Sequence, residues 1–201
     1  MNDTQLEPDS PADPETAATL WKTESGNCIE VSYDPVYWPE ESLGHFAKIS
    51  VKLLDHIDRE FALDGVLIGL LLCGDDRIQQ LNSQFRGEDR PTNVLSFPQL
   101  DDDLFGDDAL AAKNQPNKKF FGEIAIARET VMAQADELGI EINDHLAHLF
   151  VHGVIHLLGY DHQNDWNATE MEALEVAILA AFSIANPYMI ADRAVHHGKM
   201  S

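Results

Sequence analysis

The eleven residues from His152 to His162, HGVIHLLGYDH, constrain this chain more than any other stretch. His152 and His156 stand one helical turn apart, and side chains at that spacing share a face with Cβ atoms roughly 5–6 Å apart. Gly159 is suited to end the helix in a left-handed conformation, and the residues after it can swing His162 back over the last turn. His145 and His148 extend the same helix face. Either His148 with His152, or His152 with His156, can grip one ion. The three together cannot, because eight residues rise about 12 Å along the axis while zinc–nitrogen bonds are about 2.0–2.1 Å. The returning His162 favours His152 and His156 as the helical ligands.

A lone HxxxH is more often a helix carrying neutral, partly buried imidazoles. With nine histidines and twelve glycines in 201 residues, the full pattern HxxxHxxGxxH arises by chance in roughly one such sequence in a thousand, so a metal site is the better explanation. Neutral imidazole suits zinc, nickel or copper, and three protein ligands leave a fourth position open, as in catalytic zinc. The expectation is one divalent ion per chain, zinc by preference, on His152, His156 and His162, with His145 and His148 dispensable. The spacing is also that of metzincin proteases, whose general-base glutamate follows the first histidine. Here Gly153 occupies that position, and the usual peptidase mechanism lacks its base. Asp161 reads equally as a support for a ligand or as a turn residue.

Around this helix the chain alternates strand and helix patterns. Residues 1–25 are acidic and rich in Pro, Ser and Thr, the composition of a disordered arm. CIEVSYD reads as an edge strand and GVLIGLLLC as a buried one. NVLSFP and KFFGEIAIA read as two more, separated by an acidic loop at about 100–118. Apolar residues at three- and four-residue steps predict a helix from Ser42 to Leu63. A second helix follows, with Asp75 and Asp76 at its cap, and then helices over 128–138, 143–158 and 168–182. Residues 186–201 read as a mobile tail. The pattern predicts an α+β fold, a small mixed sheet packed with helices around a zincin-like metal-binding helix, in one domain at 26–185. Phe85, Phe97, Phe120 and Phe121 are expected mostly in the core.

The net charge of −22 argues against a general nucleic-acid binder. Seven of the 13 basic residues nevertheless fall between Arg77 and Arg128, which leaves room for a local basic face. Cys28 and Cys73 match no disulfide or ligand spacing and read as thiols in a reducing compartment. No window reaches the roughly 18 apolar residues of a membrane span, and a cytoplasmic protein is expected.

HGVIHLLGYDH resembles the signature of the YbeY family of single-strand-specific, metal-dependent endoribonucleases. LNSQFRGEDRPTNVLSFP is similar to that family's LNxxYRxxDxPTDVLSFP, and FGEIAIA to its GDIxI strand; with the early IEVSYD these cover about residues 28–182. Asn93 and Glu123 stand where the family usually has aspartate. The resemblance implies cleavage in ribosomal RNA maturation, at the 3′ end of 16S rRNA, and ribosome quality control. It makes Arg86 a functional residue close to the metal, able to hold a phosphate with its bidentate fork; a salt bridge to Glu88 or Asp89 is the structural alternative. As partners it implies single-stranded regions of ribosomal RNA, the small ribosomal subunit, a ribosomal protein and an assembly GTPase, with no membrane and no DNA. Two other readings stand beside it: a metzincin-like zinc peptidase, and a non-enzymatic ribosome-assembly factor with a structural metal.

Overall fold

The computed structural model describes residues 16–63, 65–99, 118–160 and 165–189. The strands are β1 (Ala17–Lys22), β2 (Cys28–Tyr33), β3 (Val66–Cys73), β4 (Val94–Pro98) and β5 (Lys119–Ala127), in one sheet ordered β1-β2-β3-β5-β4. The β2–β3 and β3–β5 pairs are parallel, and β1 and β4 close the edges antiparallel. The helices are α1 (Glu40–Phe61), α2 (Asp75–Arg86), α3 (Arg128–Leu138), α4 (Ile142–Leu157) and α5 (Asp165–Ala180). This is the expected α+β architecture.

VLIGLLLC lies at the centre of the sheet because a strand covered on both faces has no polar side to show. Its Ile68, Leu70 and Leu72 join Ile29, Val31, Ile124 and Ile126 in one core with Phe46, Leu53, Leu54 and Ile57 of α1 and Phe150, Val151 and Val154 of α4. Cys73, Ala125 and Ala127 face the other way, against Ile78 of α2. Cys28 and Cys73 are buried free thiols. Among the described residues no helix is long and apolar enough to cross a membrane.

Several expectations need correction. Residues 17–22, assigned to the disordered arm, form β1, which pairs in register with β2 from Ala17–Tyr33 to Lys22–Cys28. Trp21 from this strand meets Phe46 edge-on at 5.9 Å, so a six-residue segment is held by pairing and one aromatic contact despite its acidic surroundings. CIEVSY is therefore an inner strand. Within the supposed tail, Tyr188 is half-buried and bonded to Glu175. Asp75 does not cap its own helix: Gly74 is the N-cap residue of α2. The Asp75 carboxylate instead accepts from Thr130 N (3.1 Å) and Oγ1 (2.8 Å) at the start of α3, while Glu129 accepts from Asp75 N (3.1 Å). Two neighbouring helix starts satisfy each other's unpaired N–H groups. Phe97, Phe120 and Phe121 are only partly buried and Phe85 is 49% exposed, so the core takes up less of this set than expected. Residues 1–15 of the arm, the acidic loop at 100–117 and residues 190–201 lie outside the described residues, whereas Glu24 N and Ser25 N donate to the Asp55 carboxylate of α1 at 3.0 and 3.1 Å.

Candidate active site

Helix α4 buries Leu146, Leu149, Phe150, Val151, Val154 and Ile155, leaving His148, His152 and His156 half-buried along one side. It ends as the glycine spacing predicts. Gly159 takes φ +94°, its N–H bonds His156 O (3.0 Å), and Tyr160 N reaches Ile155 O (3.3 Å), the paired bonds of a Schellman turn. That turn brings the Tyr160 carbonyl to the His156 ring, whose Nδ1 donates to it at 2.9 Å.

The His152 ring is held from the other side. Its Nδ1 donates to Glu175 Oε1 (2.9 Å), and the fully buried Glu175 also accepts from His148 Nε2 (3.0 Å) and Tyr188 Oη (2.6 Å). Burial alone would raise the Glu175 carboxyl; the bonds from His148, His152 and Tyr188 outweigh it and hold the group at about 2. A carboxylate and a backbone carbonyl only accept, so both Nδ1 atoms carry a proton, and a ring that holds no second proton has its lone pair on Nε2. Those two Nε2 atoms lie 3.1 Å apart. Two lone pairs at that distance repel unless a cation or proton sits between them, and two nitrogen ligands of a tetrahedral zinc stand about 3.3 Å apart. The donor set fits a metal.

A second group, His148, His152 and Glu175, has one candidate ligand atom from each within 4.8 Å of the others. There the ring N–H groups point at the carboxylate, which makes it a hydrogen-bonded support. His162 and Asp161 lie outside the described residues.

His145, one turn before His148, is buried and bonded through Nε2 to Gln134 Oε1 at 3.0 Å. Burial first, and the neighbouring His148 second, lower its pKa from 6.5 to about 4. A histidine with a depressed folded pKa contributes nothing above about 6.5, where neither state holds the proton, and opposes the native state as the unfolded chain takes up protons below that value. Unfolding stability is therefore expected to fall as pH drops from about 6.5 to 4, measured by urea titration along that range. His145→Gln should flatten this part of the profile; an unchanged slope would remove His145 as its cause.

His152 and His156 line a cavity of about 410 Å³ together with Arg86, Asn93, Ser96 and Gln134. Arg86 ends α2, and its Nη2 reaches Ser96 O at 3.5 Å. The salt bridges of the structural alternative are not made: Glu88 pairs with Arg90 (2.6 Å) and Asp89 accepts from Gln79 (2.8 Å). Among the described residues no carboxylate pairs with Arg86. Arg90 also lines the cavity. Of the other basic residues between 77 and 128, Lys118 is engaged with Gly26 O, Lys119 over Phe121, Arg128 over Trp38 and Arg77 with Gln80, and Lys113 lies outside the described residues. Among the described residues of that stretch, Arg86 and Arg90 are the cations that line the cavity.

Gly153 has a packing reason. A Cβ there would lie 2.8–3.0 Å from three Ile124 side-chain carbons of β5, so the position faces the sheet and a glutamate could not serve as a base from it. Gly153→Ala is expected to cost about 1–3 kcal/mol by overpacking, read as a lowered urea midpoint; unchanged stability would mean that β5 yields freely. Sequence reasoning missed Glu175, Tyr188 and Gln134. The one available signal was an acidic residue inside the apolar run LEVAIL.

A mixed sheet backing a helix of paired, buttressed imidazoles defines an α+β protein with a histidine–carboxylate site. The family profile described as endoribonuclease YbeY matches residues 40–183, and the chain belongs to the YbeY endoribonuclease family. An endoribonuclease YbeY from Allorhizobium ampelinum is 39% identical over 170 residues, covering 80% of this chain and 93% of the relative. One from Rhodospirillum rubrum is 50% identical over 121 residues, covering 60% and 58%. A solution structure from Thermotoga maritima is 29% identical with a TM-score of 0.44, covering 66% of this chain and 80% of the other. Membership leaves the peptidase and structural-metal readings without support.

Proposed function

We propose that this chain is a cytoplasmic, single-strand-specific endoribonuclease that matures ribosomal RNA at the 3′ end of 16S rRNA and serves ribosome quality control. In this reading His152, His156 and His162 hold one zinc ion and Arg86 binds the scissile phosphate. The observation that carries it is the pair of Nε2 lone pairs, 3.1 Å apart, on the wall of the cavity that Arg86 also lines. When bound, such an ion supplies Lewis acidity toward a phosphoryl oxygen and acidifies water near it. The protein's own groups do the rest. Glu175 and the Tyr160 carbonyl hold a proton on each Nδ1 and keep the two Nε2 atoms aimed at the cavity. The Arg86 guanidinium, which pairs with no carboxylate among the described residues, offers a planar fork to the phosphate. No general-base carboxylate is required of Gly153.

The net charge of −22 favours weak affinity for free RNA, with docking on the small subunit, through a ribosomal protein and an assembly GTPase, supplying effective concentration. The test is purified protein on single-stranded RNA, duplex RNA and casein, with and without chelator, alongside metal analysis. Cleavage of single-stranded RNA alone, stopped by chelator and restored by zinc, is expected. Casein cleavage would establish a peptidase instead, and bound metal with neither substrate cut would leave a structural role.

A further inference from the structure

Asn93 and Gln134 meet on the cavity wall, and the polarity of their contact follows from the backbone. Val94 N–H can only donate, and it lies 2.7 Å from the Asn93 side chain; that atom must be the carbonyl oxygen Oδ1. The other end of the amide is then NH₂, and it donates to Gln134 at 3.0 Å. The Gln134 atom that receives it must be Oε1. His145 Nε2 lies 3.0 Å from the same oxygen, so it donates too. Every donor and acceptor along the row is thus set by one backbone N–H. The Gln134 Oε1 is occupied twice. Its NH₂ group has no partner among the described residues, and the residue lines the cavity with His152, His156 and Arg86.

We infer that Gln134 is a substrate-contacting residue, whose amide NH₂ is held by Asn93 and His145 as a fixed donor to an acceptor oxygen of the RNA, a non-bridging phosphate oxygen or a ribose hydroxyl. This rests on the endoribonuclease reading and adds to it a neutral donor beside the Arg86 cation. An isolated glutamine offers either edge of its amide to a ligand. Here the two bonds to Oε1 have already chosen, so a substrate meets a preorganised donor and the protein spends no rotamer freedom on binding it. The low folded pKa of His145 agrees with a neutral ring in this row.

The variant that isolates the donor is Gln134→Glu. A carboxylate keeps both accepted bonds, from Asn93 and His145, and presents oxygen where NH₂ was. We expect unchanged melting temperature and metal content, with binding of single-stranded RNA to the metal-free protein weakened about tenfold or more, the scale of a hydrogen bond to a charged acceptor. The loss should persist at high salt, whereas Ala133→Glu, on the exposed side of α3, should give a smaller loss that salt screens away. A measurement without any variant is the Gln134 side-chain amide resonance, expected to shift when a single-stranded oligonucleotide is added. Gln134→Glu that binds RNA like wild type, a loss matched by Ala133→Glu and erased by salt, or an amide resonance that ignores the oligonucleotide would each overturn the inference. Wild-type protein that neither binds nor cleaves RNA would sink the endoribonuclease reading itself and this one with it.

Discussion

Alanine at His152 or at His156 is expected to abolish high-affinity metal binding and to bring RNA cleavage down to the level of chelated wild-type protein. Each ring delivers one Nε2 lone pair to a point between them, and losing either leaves a helical site with a single imidazole. The expected loss of affinity exceeds the 10–100-fold typical of removing an outer partner of a ligand. Glu175→Gln supplies that smaller comparison: the amide oxygen can still accept from one histidine but not from all three donors that meet Glu175. Its loss should fall near 10–100-fold. His162→Ala should lose metal as His156→Ala does, and His148→Ala should keep it. Competition with a chromophoric chelator, together with metal content by mass spectrometry, measures all five. If His148→Ala is metal-free while His156→Ala stays loaded, the centre is the His148, His152 and Glu175 group instead.

Arg86→Ala is expected to lower kcat/KM on single-stranded RNA by about 10²–10³-fold, the scale of removing one preorganised charge-stabilising donor. Folding and metal content should hold, because Arg86 is exposed and, among the described residues, its hydrogen bond is a long contact to a backbone carbonyl. Lysine at 86 should recover part of the loss, having the charge without the two-pronged geometry. Circular dichroism, metal content and initial rates together decide the point. An Arg86→Ala protein that cleaves at the wild-type rate would show that the guanidinium lines the cavity without touching substrate.

The helices and strands were legible because their apolar residues repeat at the periods that helices and strands impose. The turn at Gly159 was legible because few residues other than glycine take φ +94° cheaply. β1 was not, since ATLWK sits in an acidic stretch and gains its order from pairing with Ile29 and Val31 and from Trp21 meeting Phe46. The same limit applied at the site. His152 and His156 are four residues apart, and helix geometry alone puts them side by side. Arg86 could be nominated only through a resemblance, because α2 and α4 meet at the cavity through the fold. Glu175 is 23 residues from His152 and Tyr188 is 13 from Glu175; no local period links them.

What the sequence by itself determined was therefore the set of elements, the helix that carries the histidines and the turn that ends it, all of which depend on interactions within a few residues. The same turn supplies the Tyr160 carbonyl that takes the His156 Nδ1 proton, four residues away. Only the tertiary structure decided which nitrogen of His152 faces the cavity, because its Nδ1 proton is placed by a buried carboxylate that packing brings from α5, 23 residues along the chain.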